Sequence, residues 1–104
     1  MSAGFTPGPW EAIPASNRVM CPGRGVVARV ENPWNDEKER QANTRLIGAA
    51  PRLYRELEAA GAIFRAYEAL HLEKGTADGI EKAKRNATFA EIIEGLLAEV
   101  RGDV

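Results

Sequence analysis

The sequence predicts an α+β fold in which a short antiparallel three-stranded β-meander precedes a kinked helical hairpin. Pro and Gly punctuate residues 1–34, and short β-prone segments lie between them. From residue 35 onward, apolar residues instead recur every three or four positions, which is the period of a helix. At 104 residues the chain is expected to be a single domain, with a β-rich part at 1–34 and a helical part at 35–104.

Three segments of the β-rich part predict the strands of the meander, at residues 10–13, 18–21 and 26–31. In the third strand alternate residues should line opposite faces, with Val26, Ala28 and Val30 on one and Val27, Arg29 and Glu31 on the other. Small polar residues at 15–17 predict the first turn. Pro22 before Gly23 predicts a type II turn, because the second central residue of that turn needs positive φ.

The helical part begins at an N-cap, Asn35 or Asp36, and its first stretch stops before Gly75. Pro51 interrupts this stretch, and a proline inside a helix costs roughly 3 kcal/mol. We therefore expect a kink or short break near Ala50, with Pro51 opening the longer segment. The predicted apolar stripe consists of Leu46, Ala50, Leu53, Leu57, Ala60, Phe64, Tyr67 and His71, with Ile47, Tyr54 and Gly61 beside it.

A last helix is predicted over residues 80–100. Its stripe consists of Ile80, Ala83, Ala87, Ala90, Ile93, Leu97 and Val100, widened by Phe89, Ile92 and Leu96. The two long helices thus carry more apolar surface than three short strands can cover. We expect copies of the chain to bury the surplus by forming a homo-oligomer through the helices.

Composition excludes several classes of protein. Hydrophobic residues make up 44% of the chain and charged residues 28%, as in soluble globular proteins. The net charge of -1 argues against a nucleic-acid partner, because neutralising several phosphates needs a basic face. No apolar run approaches the ~20 residues of a membrane span. The single cysteine, Cys21, has no disulfide partner within the chain, which predicts a reducing cytoplasm as the location.

Two stretches of the chain resemble a widespread set of small phage and prophage proteins. These proteins open with a TPGPW segment, continue through a short β section, and carry a helix close to ANARLIAAAPxLLxAL. The matching residues here are Thr6, Pro7, Gly8, Pro9, Trp10, Ala42, Asn43, Arg45, Leu46, Ile47, Ala49, Ala50, Pro51, Leu53 and Leu57. The alanine- and lysine-rich stretch 80–88 is similar to the ending that such proteins often carry.

The chain departs from this pattern at Thr44 and Gly48, where alanine is usual, and at Tyr54, where an aliphatic residue is usual. Gly48 is expected to loosen the first helical segment. The family is largely uncharacterised, so the resemblance implies origin rather than mechanism. It places the protein in the cytoplasm of an infected bacterial host.

Two tryptophans are candidates for ligand binding. Trp10 is either an exposed stacking platform for a nucleobase or a ring folded over the helices to close a thin core, and we favour the second interpretation. Trp34, in a polar loop before a helix, is either an exposed aromatic contact or a hydrophobic staple onto the first helical turn, and again we favour the second.

Four polar residues complete the predicted ligand site. Arg24, between two glycines, belongs either to an anion-binding nest of backbone N–H groups or to an ordinary hairpin turn. Arg40, Asn43 and Arg45 either line a polar pocket where helix meets sheet or have structural roles. In the structural interpretation Asn43 tethers the helix to a strand, and Arg40 pairs with Asp36 or Glu37.

The sequence contains no arrangement that indicates catalysis, a metal site or a cofactor. His71 and Cys21 are the only residues of their types, and no further ligands stand at metal-binding spacing. The carboxylates alternate with Lys and Arg in a pattern typical of solvated helix faces. We therefore expect a protein that is not an enzyme.

The sequence leaves three functional hypotheses. The first is a phage accessory protein that antagonises host antiviral defence by sequestering a nucleotide-type signal, with Trp34, Arg24, Arg40 or Arg45 lining intersubunit pockets. The second is a protein-protein inhibitor of a host defence complex, similar in role to an anti-CRISPR. The third is an accessory protein without a small ligand.

Overall fold

A computed structural model describes residues 4–31, 33–34 and 36–103 of the chain. It confirms the α+β prediction, with the elements β1 (Glu11–Ile13), β2 (Arg18–Cys21), β3 (Gly25–Arg29), α1 (Glu37–Gly48), α2 (Ala50–Lys74) and α3 (Ala77–Arg101). The chain divides into two compact units, one that extends to Leu53 and one that starts at Tyr54. This boundary lies beyond residue 34 because α1 packs on the strands.

The three strands form an antiparallel meander in the order β1-β2-β3. A short 3-10 helix, Pro14–Ser16, connects β1 to β2. Between β2 and β3, Gly23 has a φ of +81°, and the Arg24 N–H donates to the Cys21 carbonyl at 2.9 Å. These are the features of a type II turn, as the Pro22-Gly23 pair predicts.

A β-bulge changes the faces of β3. Val19 lies opposite Ala28 and Met20 lies opposite Val26, so Val27 is the extra residue. Because adjacent residues of β2 point to opposite faces, Val26 and Ala28 do so too. The prediction that they share a face is therefore wrong, since simple alternation cannot continue across an inserted residue.

Helix α1 begins at Asp36, whose carboxylate accepts a hydrogen bond from the Glu39 N–H at 2.8 Å. This confirms one of the two predicted N-caps, and the other, Asn35, lies outside the described residues. Thr44 is fully buried, and its hydroxyl donates to the Arg40 carbonyl at 2.7 Å. The threonine that replaces the usual alanine thus has its hydrogen bond satisfied inside the helix.

Gly48 brings α1 against β1. A Cβ atom at this position would lie 2.7 Å from the Ala12 Cβ and 3.1 Å from the Ala12 nitrogen. Only glycine allows so close an approach of helix and strand. Gly48 therefore has a role beyond the expected loosening of the first helical segment, because its missing side chain makes room for the strand.

The predicted break near Ala50 is confirmed. α1 ends at Gly48, Ala49 stands between the helices, and Pro51 occupies the first turn of α2. A proline there costs no hydrogen bond, because the first N–H groups of a helix have no partner within it. Gly8 packs against this proline: a Cβ on Gly8 would lie 3.1 Å from the Pro51 Cβ. The TPGPW segment thus packs against the start of α2.

The second unit is an antiparallel hairpin of α2 and α3. α2 ends at Lys74, as predicted, whereas α3 begins three residues earlier than predicted because the Thr76 hydroxyl caps it by accepting from the Gly79 N–H at 2.9 Å. At the open end of the hairpin, the Arg101 Nη1 donates to the Tyr54 hydroxyl at 3.2 Å. Tyr54 therefore links the two helices.

The buried side chains of the hairpin are Tyr54, Ala83, Ala90 and Leu97. The α3 stripe is confirmed at its centre, but Ile80 and Val100 are exposed. On α2 the predicted stripe is offset, since Leu53 and Tyr67 are exposed whereas Tyr54 and Gly61 are buried. The reason is that Gly61 lets α3 come close: a Cβ there would lie 3.2 Å from the Ile93 Cγ2. Within the part of the chain that is described, no helix is long and apolar enough to cross a bilayer.

Candidate functional site

Trp10 is held by its own segment. Its indole Nε1 donates to the Thr6 carbonyl at 3.0 Å, and its ring packs edge-to-face against Phe5 with centroids 6.0 Å apart. The side chain is half-buried. These contacts hold the ring against its own segment, and both its packing over the helices and a ligand-binding role stay predictions.

Trp34 lies in the loop between β3 and α1 and is 91% exposed. A hydrophobic staple would bury the ring against the first turn of α1, so the staple interpretation is wrong. The exposed-aromatic alternative is the one that agrees with the structure. Tryptophan is enriched among the residues that contribute most to binding interfaces.

Arg24 lies at the tip of the β2–β3 hairpin and is exposed. Its backbone N–H already donates to the Cys21 carbonyl. A nest would aim this N–H at an anion instead, so the geometry is that of an ordinary hairpin turn. The guanidinium of Arg24 remains accessible to a ligand.

The Glu37 carboxylate occupies the place where α1 meets the strands. Arg40 donates to it from Nη2 at 2.9 Å and from Nε at 3.2 Å, and the Asn17 amide donates at 3.3 Å. These bonds, that of Arg40 first, lower the pKa of Glu37 below its ordinary value. The predicted pairing of Arg40 with Glu37 is thus confirmed. The Glu37 carboxylate neutralises the positive charge of Arg40, to which an anionic ligand would otherwise bind.

The six residues predicted as a site belong to α1 and to three separate loops, and their joint role in ligand binding stays a prediction. Arg40 and Asn43 are one turn apart on α1, and Arg45 is exposed on the same helix. The remaining three belong to separate loops: the segments before β1, between β2 and β3, and before α1. In the described ranges the Asn43 amide makes no hydrogen bond to a strand, so the predicted tether is absent.

A pocket that the sequence analysis did not predict lies in the helical hairpin. Its volume is about 250 Å³, and it is lined by Phe64, His71, Lys82, Arg85, Asn86 and Phe89. The α3 residues Lys82, Asn86 and Phe89 follow one another at spacings of four and three, which places them on one side of the helix. That spacing could have indicated the pocket from the sequence, but it falls in a stretch whose other residues are typical of a solvated helix.

Aromatic rings line this pocket. The Phe64 and Phe89 rings are tilted by 32° with centroids 5.2 Å apart, which joins α2 to α3. His71 stacks on Tyr67 with ring centroids 6.4 Å apart. Phe89 nevertheless remains 52% exposed. The pocket therefore presents an open aromatic face beside a fixed ring pair.

Two cationic side chains line the pocket. Lys82 pairs with Asp78, Nζ to Oδ2 at 3.1 Å, whereas Arg85 forms no ion pair with any residue that the structure describes. The Asn86 amide nitrogen donates to the Lys82 carbonyl at 2.8 Å, which fixes that side chain against the helix. Because the six lining residues include two cations and no carboxylate, the site favours anions.

The two helices that line the pocket also carry an exposed apolar face. It consists of Ile63, Tyr67, Leu70, Phe89, Ile92, Leu96 and Val100, which are 45% to 63% exposed. Their three- and four-residue spacing places each row on one side of its helix. Tyr67, which stacks on His71, and Phe89, which lines the pocket, connect both rows to it.

The helices are also joined by an ion pair. Arg65 binds the Glu94 carboxylate through two hydrogen bonds, at 2.7 and 2.9 Å, and donates to Glu68 at 2.9 Å. Arg65 is one turn from Gly61 on α2, Glu94 follows Ile93 on α3, and neither belongs to the apolar face.

Comparison with known proteins shows the family of the chain. No curated protein and no solved structure matches it. Residues 1–92 match the family described as Salmonella phage P22 protein Y8K6. The match confirms a relation to phage-encoded proteins, as the resemblance implied, while the two motifs themselves stay a resemblance. The chain therefore belongs to the family of the Salmonella phage P22 protein Y8K6.

Proposed function

We propose that the chain is a non-enzymatic phage accessory protein that antagonises host antiviral defence by sequestering a nucleotide-type signal in an oligomer. The family match supports the phage setting. The observation that carries the binding proposal is the hairpin pocket, which combines an exposed phenylalanine ring with two cationic side chains. Aromatic faces stack on nucleobases, and Lys and Arg bind phosphates, so this combination suits a nucleotide.

The apolar face supports the oligomer. Half of a large side chain exposes roughly 100 Å², so its seven members expose about 700 Å² per copy. Stable interfaces bury about 800 Å² on each partner. A second copy seated on this face would thus give an interface of ordinary size, and it would cover the open side of the pocket.

Thermal denaturation in the presence of cyclic nucleotides and ADP-ribose derivatives tests the proposal. A ligand that binds only the folded chain raises the unfolding temperature by mass action. The ligand that gives a rise is then incubated with the protein, the protein is heat-denatured, and the released ligand is analysed. Sequestration predicts intact ligand in full yield. Recovery of a converted product would show an enzyme and contradict the proposal.

A protein-protein inhibitor of a host defence complex, similar in role to an anti-CRISPR, is the second candidate. The exposed apolar face favours it, because such a face also suits docking to a foreign protein. This candidate predicts no shift with any nucleotide and stoichiometric co-purification of one host protein, lost in an Ile92→Glu variant. No shift and no partner would instead indicate an accessory protein without a small ligand.

A further inference from the structure

We infer that the hairpin pocket is the ligand site, and that it binds one phosphorylated nucleoside with the phosphate at Lys82 and Arg85 and the base on Phe89. That the ligand is a nucleotide rests on the proposed function. The site residues predicted from the sequence stand elsewhere, on α1 and in three loops.

The cations define where the phosphate binds. Lys82 and Arg85 are three residues apart on α3, so their side chains project from adjacent turns of one helix. Arg85 forms no ion pair in the described part of the chain, and its planar guanidinium presents paired donors to a phosphate. Lys82 is shared with Asp78 at 3.1 Å, so a bound phosphate competes with this carboxylate.

The exposed ring defines where the base binds. Phe89 is four residues from Arg85 on the same side of α3, and its contact with Phe64 fixes its orientation. A ring held this way stacks on a base without first losing rotamer freedom. Arg85 and Phe89 are therefore spaced to contact the phosphate and the base of the same nucleotide.

The size of the pocket limits the ligand. At about 250 Å³ it lies just under the ~300–1,000 Å³ of sites for drug-sized molecules. One nucleoside phosphate suits this space, whereas a dinucleotide would extend beyond the six lining residues. A larger signal would bind through one of its nucleotide halves.

Adenosine monophosphate is the probe for the site, with adenosine and inorganic phosphate as its two parts. We expect the monophosphate to shift the amide NMR signals of Asn86 and Phe89 and to bind more tightly than either part. Arg85→Gln should weaken its binding about tenfold, as expected for a lost charge-assisted hydrogen bond. Lys84→Gln is the matched control, because it removes the same charge from a neighbouring residue outside the pocket lining and should leave binding unchanged.

Asp78→Asn should strengthen binding of the monophosphate, which is the opposite of the effect expected for Arg85→Gln. It removes the carboxylate that pairs with Lys82, so the freed ammonium should bind the phosphate several-fold more tightly. A general loss of folded protein cannot produce tighter binding. Equal weakening by Arg85→Gln and Lys84→Gln, or no gain from Asp78→Asn, would overturn the assignment of the phosphate to these side chains.

The failure of this inference differs from the failure of the proposed function. If a ligand from the denaturation panel binds but shifts the signals of Arg24 and Arg45, the pocket is the wrong site and sequestration stands. If the monophosphate binds in the pocket but the protein fails to protect phage from a nucleotide-signalling defence, the site stands and the function falls. Absence of any shift with all three probes would overturn the inference itself.

Discussion

At the scale of single residues, the two family motifs have a packing role. Gly8 contacts Pro51, Gly48 contacts Ala12, and the Cys21 thiol donates to the Pro7 carbonyl at 3.4 Å. Each of these contacts joins the TPGPW end of the chain, or the strands that follow it, to other parts of the first unit. These contacts therefore contribute to the assembly of that unit.

Gly48→Ala should lower the free energy of unfolding by about 1–3 kcal/mol, because the new Cβ would overlap Ala12 at 2.7 Å. This loss exceeds the gain of up to about 1 kcal/mol that alanine brings to a helix. Urea denaturation followed by circular dichroism measures the change.

Gly95→Ala is the matched control for Gly48→Ala. A Cβ at Gly95 meets nothing within 4 Å, so this variant should be more stable by up to about 1 kcal/mol. A Gly48→Ala protein that gains as much as Gly95→Ala would contradict the close packing of α1 on β1.

At the scale of elements, α2 and α3 are joined by few buried side chains of large size. Ala83 and Ala90 supply two of the buried positions of α3, and glycine supplies one of those of α2. Small residues let the helices approach closely, but they remove little apolar area from water. The remaining large buried residues, Tyr54 and Leu97, should therefore dominate the stability of the hairpin.

Leu97→Ala should destabilise the chain by about 2–4 kcal/mol, because Leu97 is 6% exposed and its truncation leaves a cavity. Leu96→Ala, its neighbour at 45% exposure, should cost less than about 1 kcal/mol under conditions where the chain is monomeric. Urea denaturation at low protein concentration compares the two. Equal losses would show that the buried row of α3 is misassigned.

The ion pair between the helices predicts how stability depends on pH. The hydrogen bonds from Arg65 hold the pKa of Glu94 below its ordinary 4.5. A folded-state pKa below the unfolded value gives stability that is complete above the unfolded pKa and is lost as pH falls through the folded pKa. Wild-type protein should therefore lose more stability between about pH 5 and pH 3 than Glu94→Gln does. Urea midpoints across that range test this, and parallel curves would contradict it.

At the scale of the whole molecule, the apolar face predicts self-association. Ile63→Glu places a charge in the face and should shift the chain toward monomer, because burying an unpaired carboxylate is costly. Ala62→Glu adds the same charge at the neighbouring exposed position of α2, outside the face, and should leave the assembly intact. Light scattering after size-exclusion chromatography at micromolar concentration measures both. A monomeric wild-type chain would contradict the proposed oligomer.

The local features of the fold were predictable because each depends on neighbours in sequence. The type II turn follows from Pro22-Gly23, the N-cap from Asp36, and the helix break from Pro51. The bulge at Val27 and the role of Gly48 were not predictable, since both depend on which strand or helix lies opposite. The six predicted site residues likewise came from local patterns, and the structure distributes them over separate elements.

The sequence by itself determined the α+β class, the limits of most elements, the surplus of apolar helix surface and the likeness to a phage protein family, because period, turn chemistry and motif are properties of short stretches. Only the tertiary structure decided which side of each helix is buried, and with it the position of the pocket. Phe64 and His71 come from one helix and Lys82, Arg85, Asn86 and Phe89 from the next. They become neighbours because small residues let α2 and α3 pack closely along their buried residues. The residues beside this buried row stay accessible and line the pocket.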